Sequence, residues 1–377
     1  MDGIWPYRKI DYYVISVKRS HNIRNCFCRL FEKKKMGVRH LNRFLVENCK
    51  GTESIKTIHF RHLKNKTVAI DTSIFMYKFA TENKLMENMY LLISILKLWS
   101  IRPLFIFDGK PPPEKKALIK KRKWEKHDAE TKFNSLKTEI ESNVELTPKE
   151  RKLAIEEMDE LKKKFVRIRH DQIAEVKQLM SAYSVEYYDA PGESDQLCVY
   201  LVKKGHAYAC MSDDMDMFLY GCERVIRGIN VVTQECTIYN TPSILTDLSM
   251  TPKIFNEIIV ISGTDYNIQE NISLNETIRW YQQYKKSMDT YMAMPIHIRA
   301  SCSNIISQGF YHWLKKNTKY IEKIDSIEHV LDMFALDMND NLFDNITVQI
   351  EQNVFKPFIM NDLMKVMMPH GFVFVNQ

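Results

Sequence analysis

The sequence lacks a long hydrophobic run, a secretory signal and an excess of turn-forming residues. Its longest apolar stretch, residues 89–99, is interrupted by Ser94 and Lys97 and has about half the length that a membrane span needs. The apolar part of the N-terminal region is too short and too interrupted for a signal peptide. Only 11 Gly and 12 Pro occur among 377 residues, which excludes collagen-like and Pro/Gly-rich disordered chains. We therefore expect a globular, intracellular protein without a membrane segment.

The cysteines lack the spacing of a metal site. Eight are present, none in Cys-x-x-Cys spacing, and most lie singly within apolar segments. Cys26, Cys28 and His21 have neither the spacing nor the fourth ligand of a zinc site. The pattern indicates reduced, structural thiols.

Charge is nearly balanced overall but unevenly distributed. The chain has 54 Lys and Arg against 47 Asp and Glu, a net charge of +7. Residues 115–169 contain 17 Lys and Arg against 11 Asp and Glu, so this segment carries almost the whole excess. Its pattern predicts two long charged helices joined by a turn near 144–148. A solvated surface hairpin is the simplest interpretation of such a segment.

Short apolar segments alternate with helical patterns, an order typical of βαβ units and a parallel sheet. The predicted strands are residues 67–70, 103–107, 185–188 and 207–211. Beyond about residue 272 the pattern is mostly helical. We therefore predict an α/β fold with a central, mostly parallel sheet flanked by helices, a charged helical insertion and a helical C-terminal part.

Acidic side chains follow the predicted strands at the points where each strand ends. They are Asp71, Asp108, Glu193 with Asp195, and Asp214 with Asp216, and Asp265 is a possible seventh. Because ligands of an open parallel sheet bind outside the carboxyl ends of its strands, we expect these side chains to converge there. The commoner role of any single one of them is a helix N-cap or a turn residue.

Converging carboxylates repel one another and need cations. Two unit charges about 4 Å apart cost about 4 kcal/mol at an effective dielectric constant of 20. Oxygen-only ligands favour Mg²⁺, with Mn²⁺ as a substitute, and the number of acids suits two ions better than one. Two such ions promote the in-line displacement of a phosphodiester.

These acidic residues lie in blocks that resemble a known family. The blocks are MGVRHL at 36–41, VAIDTS at 68–73, FIFDGKPP at 105–112, DAPGESDQ at 189–196, SDDMD at 212–216 and SGTDY at 262–266. In order and spacing they resemble the flap endonuclease family, which also holds the xeroderma-pigmentosum-G, exonuclease-one and Holliday-junction-cutting nucleases. The divergence of the chain and its length are similar to versions carried by large DNA viruses.

The resemblance implies a PIN-like, Rossmann-like fold and two ions held by the acidic set. One ion is implied for Asp108, Glu193 and Asp195, and the other for Asp214, Asp216 and Asp265. Asp71 is implied to be a catalytic residue and a ligand that acts partly through water. Asp195 stands where the family usually has Glu, which shortens the side chain and keeps its charge.

The resemblance also implies basic and aromatic contacts to DNA. Lys115 and Arg122 match the two residues that contact the scissile phosphate, and their spacing of seven places them on one helix face. Tyr77 matches an aromatic residue on which a terminal base stacks; a buried Tyr beside Phe75 and Phe79 is the alternative. Residues 115–169 resemble the family's arch, in which Lys120, Lys121 and Lys123 would contact the phosphates of a single-stranded 5′ end.

The implied function is a structure-specific DNA nuclease that acts at 5′ flaps or 5′ ends during replication, repair or recombination. A nicking or junction-resolving nuclease of the same family is the first alternative, and a catalytically silent DNA-binding scaffold is the second. The expected partner is DNA with flaps, nicks or ends, and the protein is expected to be a monomer. It would act in the nucleus if cellular and eukaryotic, or at a host nuclear or cytoplasmic replication site if viral.

Two features depart from the family. The stretch after Asp265 lacks the Gly-x-Gly of the duplex-binding hairpin and its K⁺ site, and no sliding-clamp motif is found. A basic extension precedes Met36, so we expect translation to begin at Met36. The predicted organisation is an extension at 1–35, a nuclease region at 36–114, the arch at 115–169, a second nuclease region at 170–271 and a helical region at 272–377.

Overall fold

A computed structural model describes residues 40–142, 147–266, 273–297, 309–318, 324–338, 341–353 and 358–374. The N-terminal extension at 1–35 and the expected start at Met36 lie outside the described residues. Within the described part of the chain, no helix is both long enough and apolar enough to cross a membrane.

Seven strands form one sheet in the order β1-β7-β6-β5-β2-β3-β4. Neighbouring strands from β4 to β6 are parallel, whereas β7 pairs antiparallel with both β6 and β1. The strands are β1 (Ile55–His59), β2 (Thr67–Asp71), β3 (Arg102–Phe107), β4 (Glu186–Asp189), β5 (Ala209–Met211), β6 (Arg224–Asn230) and β7 (Glu235–Asn240). The predicted α/β fold with a mostly parallel sheet is therefore confirmed.

Helices flank the sheet and make up the described C-terminal part. Those that precede residue 190 are α1 (Leu41–Asn48), α2 (Thr72–Thr81), α3 (Leu85–Leu98), α4 (Lys116–Ser142), α5 (Pro148–Lys164) and α6 (His170–Ala182). The later ones are α7 (Ser194–Lys203), α8 (Asp216–Leu219), α9 (Thr241–Leu248), α10 (Pro252–Ile261), α11 (Leu274–Ala293), α12 (Phe310–Asn317), α13 (Ile324–Met333), α14 (Asp344–Gln352) and α15 (Met360–Met367).

The central strands are buried on both faces. Along β2, Ala69 packs into the core on one side of the sheet, whereas Val68 and Ile70 pack into the core on the other side. In β3, Leu104 and Phe105 divide between the two cores in the same way. Burial on both faces explains why the sequences of these strands are nearly continuous apolar runs.

The strand order reverses at β2, because β3 and β4 extend the sheet on one side of it and β5 and β6 on the other. Such a reversal opens a crevice outside the carboxyl ends of the parallel strands, where α/β proteins bind ligands. The carboxyl ends of β2, β3 and β5 are adjacent at this point.

Two local features differ from the sequence expectations. The helical segment between β2 and β3, which the sequence pattern runs on as one stretch to about Trp99, is two helices, α2 and α3, and Asn83 between them has a positive φ of 55°. Asn tolerates this left-handed conformation better than most residues. The strands β1, β6 and β7 were also not predicted. β1 and β6 lack a regular alternation of apolar and polar residues, whereas β7 alternates over its first four residues and was missed.

Candidate active site

The carboxylates from separate strands meet at the carboxyl edge of the sheet. Asp71 is the last residue of β2, Asp108 directly follows β3, and Asp214 lies three residues after β5. Glu193 precedes the first residue of α7, and Asp195 lies within its first turn. The neighbouring charges act on one another: Asp108 and Asp214 both raise the pKa of the Asp71 carboxyl. We call Asp71, Asp108, Glu193, Asp195, Asp214, Asp216 and Asp265 the acidic cluster.

Gly109 permits the close approach of the loops that carry Asp108 and Glu193. Its N–H donates to the carbonyl oxygen of Gly192 over 2.7 Å. A Cβ atom at Gly109 would lie 2.0 Å from the carbonyl oxygen of Ala190, which is far inside van der Waals contact. The glycine after Asp108 is therefore required by the packing of the site.

Burial raises the pKa values of Asp71, Asp195 and Asp216. Burial, followed by the charges of Asp108 and Asp214, raises the pKa of Asp71 to about 7. Burial and neighbouring carboxylates also raise the pKa values of Asp195 and Asp216 well above the usual range for Asp. These shifts express the cost of holding several negative charges in one desolvated place.

Two serine hydroxyls hold the central carboxylate. Ser194 Oγ lies 3.0 Å from Asp71 Oδ1 and 2.8 Å from Asp108 Oδ1, and the Ser194 N–H donates to Asp108 Oδ1 over 2.9 Å. Ser212 Oγ donates to Asp71 Oδ2 over 3.0 Å. Both oxygens of Asp71 are therefore engaged by buried hydroxyl groups.

The donor chemistry of the cluster fits a divalent cation. Asp195 Oδ1 and Asp216 Oδ1 are buried, and within the described residues neither has a hydrogen-bond partner. Leaving a buried carboxylate oxygen unpartnered is costly unless a cation supplies the missing interaction. Among the described residues, no three His, Cys, Asp or Glu side chains are already arranged to hold one ion.

Two basic side chains from the start of the arch partly neutralise the cluster. Lys115 Nζ lies 2.6 Å from Glu193 Oε1, and Arg122 donates to Asp265 Oδ2 over 2.7 Å. Burial disfavours the Lys115 charge, but the contact with Glu193 outweighs it and raises the pKa of Lys115 above its usual value. The structure thus places both predicted basic residues against the acidic cluster.

Tyr266 contacts both Glu193 and Lys115. Its hydroxyl donates to Glu193 Oε2 over 2.6 Å, and Lys115 Nζ lies 4.7 Å from the centre of its ring. The side chain of Tyr266 therefore contacts both members of the Lys115–Glu193 ion pair. The sequence offered a signal for Tyr266 in its position directly after Asp265.

Tyr77 lies beside the base of the arch and is 37 % exposed, unlike its buried neighbours Phe75 and Phe79. Lys126 Nζ is 4.9 Å from its ring centre. Burial and the charge of Asp108 raise the pKa of the Tyr77 phenol, which Arg122 lowers. Tyr77 is therefore not the buried core residue of the alternative interpretation.

Lys120, Lys121 and Lys123 lie on the exposed part of α4 and are not brought to the acidic cluster. The arch itself consists of α4 and α5, which pack on one another through contacts such as the Phe133 and Phe165 rings, 5.4 Å apart. Arg167 of the following loop binds Glu130 over 2.7 Å.

A network behind the cluster was not predicted. Arg227 donates to the Asp213 carbonyl oxygen over 2.7 Å and to Asn42 Oδ1 over 2.8 Å. The N–H of Gly228 donates to Asp213 Oδ1 over 3.0 Å. These contacts anchor the loop that carries Asp214 to β6 and to α1, and no pattern in the sequence links residues so far apart.

Comparison with known proteins agrees with this geometry. The family model described as XPG N-terminal domain matches residues 36–129, and the model described as XPG I-region matches residues 184–265. In both matched regions the chain resembles the XPG and flap endonuclease family. The two matched regions contain every residue of the acidic cluster and leave most of the arch between them.

An archaeal and a viral protein are among the relatives of this chain. It is 28 % identical over 229 residues to flap endonuclease 1 of Methanococcus aeolicus, a match covering 56 % of this chain and 66 % of that protein. It is 28 % identical over 300 residues to the probable RAD2-like endonuclease 369L of Invertebrate iridescent virus 6, covering 66 % and 71 % of the two chains. Just under two thirds of the archaeal relative is therefore matched.

Solved structures share its fold. The catalytic core of Rad2 aligns with a TM-score of 0.56 at 20 % identity, covering 89 % of this chain and 94 % of that one. Human GEN1 in complex with Holliday junction DNA aligns with a TM-score of 0.50 at 17 % identity, covering 89 % and 78 %. At these identities the likeness concerns the fold alone.

Proposed function

We propose that this protein is a divalent-metal-dependent, structure-specific DNA nuclease that cleaves phosphodiester bonds at 5′ flaps or 5′ ends. The observation that carries the proposal is the apposition of the acidic cluster with Lys115 and Arg122 at one edge of the sheet. The match to the XPG family models supports a nuclease, and the structure of the Rad2 core with DNA substrate supports a fold that accommodates DNA.

The acidic cluster would hold two divalent cations. The ligand sets we propose are Asp108, Glu193 and Asp195 for one ion, and Asp214, Asp216 and Asp265 for the other. When bound, such ions stabilise the attacking and leaving oxygens of the phosphodiester as Lewis acids. Asp71, whose oxygens are held by Ser194 and Ser212, would act as a fixed acceptor that orients water.

Lys115 and Arg122 would bind the scissile phosphate. Each already lies against a carboxylate of the cluster, so a phosphate placed between them and the cluster would meet two cationic side chains. Their charges oppose the negative charge that accumulates on the phosphate oxygens in the transition state. Tyr77, exposed at the base of the arch, would stack on a base next to the cleaved bond.

The test is cleavage of end-labelled 5′-flap, nicked, gapped, single-stranded and four-way DNA, each with Mg²⁺ and with EDTA. We expect Mg²⁺-dependent cutting of the 5′-flap substrate, lost in Asp214→Ala. Preferential cutting of four-way DNA would indicate the junction-resolving alternative. Binding without cleavage of every substrate would contradict the proposal and indicate a scaffold.

A further inference from the structure

The indole of Trp124 is exposed on the arch. It lies in α4 and is 68 % exposed, whereas Trp313 of the C-terminal helices is buried. A Trp side chain normally buries most of its large apolar surface. An indole held in solvent on a charged helix serves no core packing, which indicates a role in binding.

Trp124 points away from the acidic cluster. It is two residues from Arg122, so about 200° separates their directions around a helix with 3.6 residues per turn. Arg122 reaches Asp265, which fixes the inner face of α4. Trp124 is therefore on the outer face, separated from the cluster by the thickness of the helix, about 10–12 Å with side chains.

The two lysines beside Trp124 form no ion pair with any described residue. Lys120 and Lys121, four and three residues before Trp124, lie on the same face of α4. In the described part of the chain, no carboxylate lies within the 4.0 Å of an ion pair from either lysine. Further along α4, by contrast, Lys132 pairs with Asp128 over 2.7 Å.

We propose that Lys120, Lys121 and Trp124 form an outer binding site for single-stranded DNA, with a base stacked on Trp124 and phosphates on the two lysines. The unpaired lysines favour a polyanionic strand over an apolar protein partner. Stacking needs no base sequence, because every base has a π-face. The proposal rests on the proposed function in assigning this strand to the 5′ part of the substrate.

The proposed outer site would bind nucleotides that are remote from the cleaved bond. Because Trp124 and the acidic cluster lie on opposite sides of α4, one nucleotide cannot occupy both places. A short 5′ flap would end before it reaches the outer face, whereas a long flap would extend onto it. The site therefore predicts affinity that depends on flap length.

The experiment measures binding of fluorescent 5′-flap DNA in EDTA, so that no cleavage occurs and the result does not depend on nuclease activity. The two substrates carry flaps of about one and about fifteen nucleotides. We expect Trp124→Ala to weaken binding of the long flap by about fivefold to a hundredfold, the value of one stacked base. We expect the short-flap affinity to change less than about twofold, and Trp124→Phe to retain most of the long-flap affinity.

Two further variants, and one possible outcome for Trp124→Ala, test the proposal. Trp124→Leu keeps an apolar side chain without the π-face, and full long-flap affinity in this variant would overturn the stacking proposal. Ile155→Ala, which removes an exposed side chain of α5, serves as the matched control and should bind as the wild type. Equal loss of affinity for both flap lengths in Trp124→Ala would contradict an outer site, as would no loss at all.

The contribution of Lys120 and Lys121 is measured separately, from the salt dependence of DNA binding. Each phosphate contact to a single strand contributes about 0.7 to the slope of log affinity against log salt concentration. Replacing Lys120 and Lys121 together by Ala should lower the long-flap slope by about 1.4 and leave the short-flap slope unchanged. An unchanged long-flap slope would show that these lysines do not contact the strand.

Ser194 carries a second, independent observation. It is 2 % exposed and its hydroxyl lies between carboxylates of two neighbouring strands, Asp71 of β2 and Asp108 after β3. Ser194 is the first residue of α7, and Asp195 follows it in the same turn, so the hydroxyl and the carboxylate are adjacent in one site.

We infer that Ser194 is a positioning residue that keeps Asp71 and Asp108 together against their mutual repulsion. The single hydrogen of the Ser194 hydroxyl lies between one oxygen of each carboxylate, at 3.0 Å from Asp71 Oδ1 and 2.8 Å from Asp108 Oδ1, so one donor is shared by both. Without it, Asp71 would lose one of its two serine partners, and among the described residues Asp108 would retain only the backbone N–H of residue 194.

The test is titration of Mn²⁺ into DNA-free protein, followed by the paramagnetic signal of the free ion. Ser194→Ala should weaken Mn²⁺ binding about tenfold, the value of one hydrogen bond to a charged group. Ser194→Thr, which keeps the hydroxyl, should restore binding to within about twofold. Mn²⁺ affinity equal to the wild type in Ser194→Ala, with an unchanged melting temperature, would overturn the inference. A loss of affinity that Thr does not restore would also contradict it.

Discussion

The acidic cluster and the arch are the two charged regions of the molecule, and they differ in burial as much as in sign. In the cluster, Asp71 and Asp216 are less than 5 % exposed and their pKa values are raised by burial and by neighbouring carboxylates. On the arch, Lys120 and Lys121 extend into solvent, where salt screens their interactions. We therefore expect the cluster and the outer arch to have different roles. A substitution in the cluster should change the rate of the reaction, whereas one on the outer arch should change affinity.

The largest effect is expected in the cluster. Asp216→Asn keeps the shape of the side chain and removes its charge, and we expect cleavage to fall by about a thousandfold or more, because metal-ion stabilisation of the transition state is worth several kcal/mol. DNA affinity measured in EDTA should change little. Asp189→Asn, a strand-end carboxylate that pairs with Lys177 outside the cluster, is the control and should cleave at the wild-type rate. Equal cleavage rates for the two variants would show that a carboxylate of the cluster contributes no more to the reaction than one outside it.

Lys115 and Arg122 lie in the arch segment of the sequence, but their side chains contact Glu193 and Asp265 of the acidic cluster. Replacing either by Ala should slow single-turnover cleavage by about 100- to 1000-fold and weaken binding by less than about threefold, since these side chains act on transition-state charge. Arg167→Ala removes an arginine of the loop after α5 that pairs with Glu130 instead, and its rate should stay within about twofold of the wild type. Equal losses in rate and binding for Arg122→Ala would make Arg122 a simple phosphate anchor.

Glu257 tests whether buried carboxylates outside the cluster also affect stability. It is fully buried in α10 near Tyr281 and Tyr284, and burial raises its pKa to about 7. Because the folded-state pKa exceeds the unfolded one, stability is greatest at low pH and is lost as pH rises from about 4.5 to about 7. The loss is on the order of 3 kcal/mol.

Chemical denaturation in EDTA between pH 5 and pH 8 measures this contribution. Glu257→Gln should show a smaller loss of stability over that range than the wild type, and the exposed Glu53→Gln should show the same loss as the wild type. Identical pH profiles for Glu257→Gln and the wild type would assign the whole pH dependence to other groups.

Gly109 gives the smallest expected effect and tests the packing of the cluster. Ala at this position would place Cβ against the Ala190 carbonyl oxygen, and we expect a loss of about 1–3 kcal/mol of stability, with slower cleavage. Gly192→Ala is the matched control, because its Cβ would meet only Gln196 Oε1 at 3.8 Å. Urea denaturation of both variants measures the difference, and equal stability would show that the two loops separate without cost.

Much of the cluster was predictable from the sequence because its residues obey a local rule. Asp71, Asp108 and Asp214 each follow a short apolar strand, and parallel strands bring their carboxyl ends to one edge. The charged helices of the arch were predictable for a similar reason, since their composition changes sharply at residue 115.

The contacts that were missed join residues that are distant in the chain. Arg227 anchors Asp213 and Asn42 only because β6 lies beside β5 and near α1, and no periodicity records that arrangement. The direction of Trp124 was also missed: Lys120, Lys121 and Lys123 were assigned to the substrate as a group, whereas the structure separates the outer face of α4 from the inner face that carries Arg122.

Single-turnover cleavage of a 5′-flap duplex by the wild-type protein, with Mg²⁺ titrated from zero, tests the central claim most directly. The acidic cluster predicts no cleavage in EDTA and a rate that rises with more than the first power of Mg²⁺ concentration, as two ions require. Cleavage that persists in EDTA would contradict a metal-dependent cluster, and no cleavage at any Mg²⁺ or Mn²⁺ concentration would contradict a nuclease.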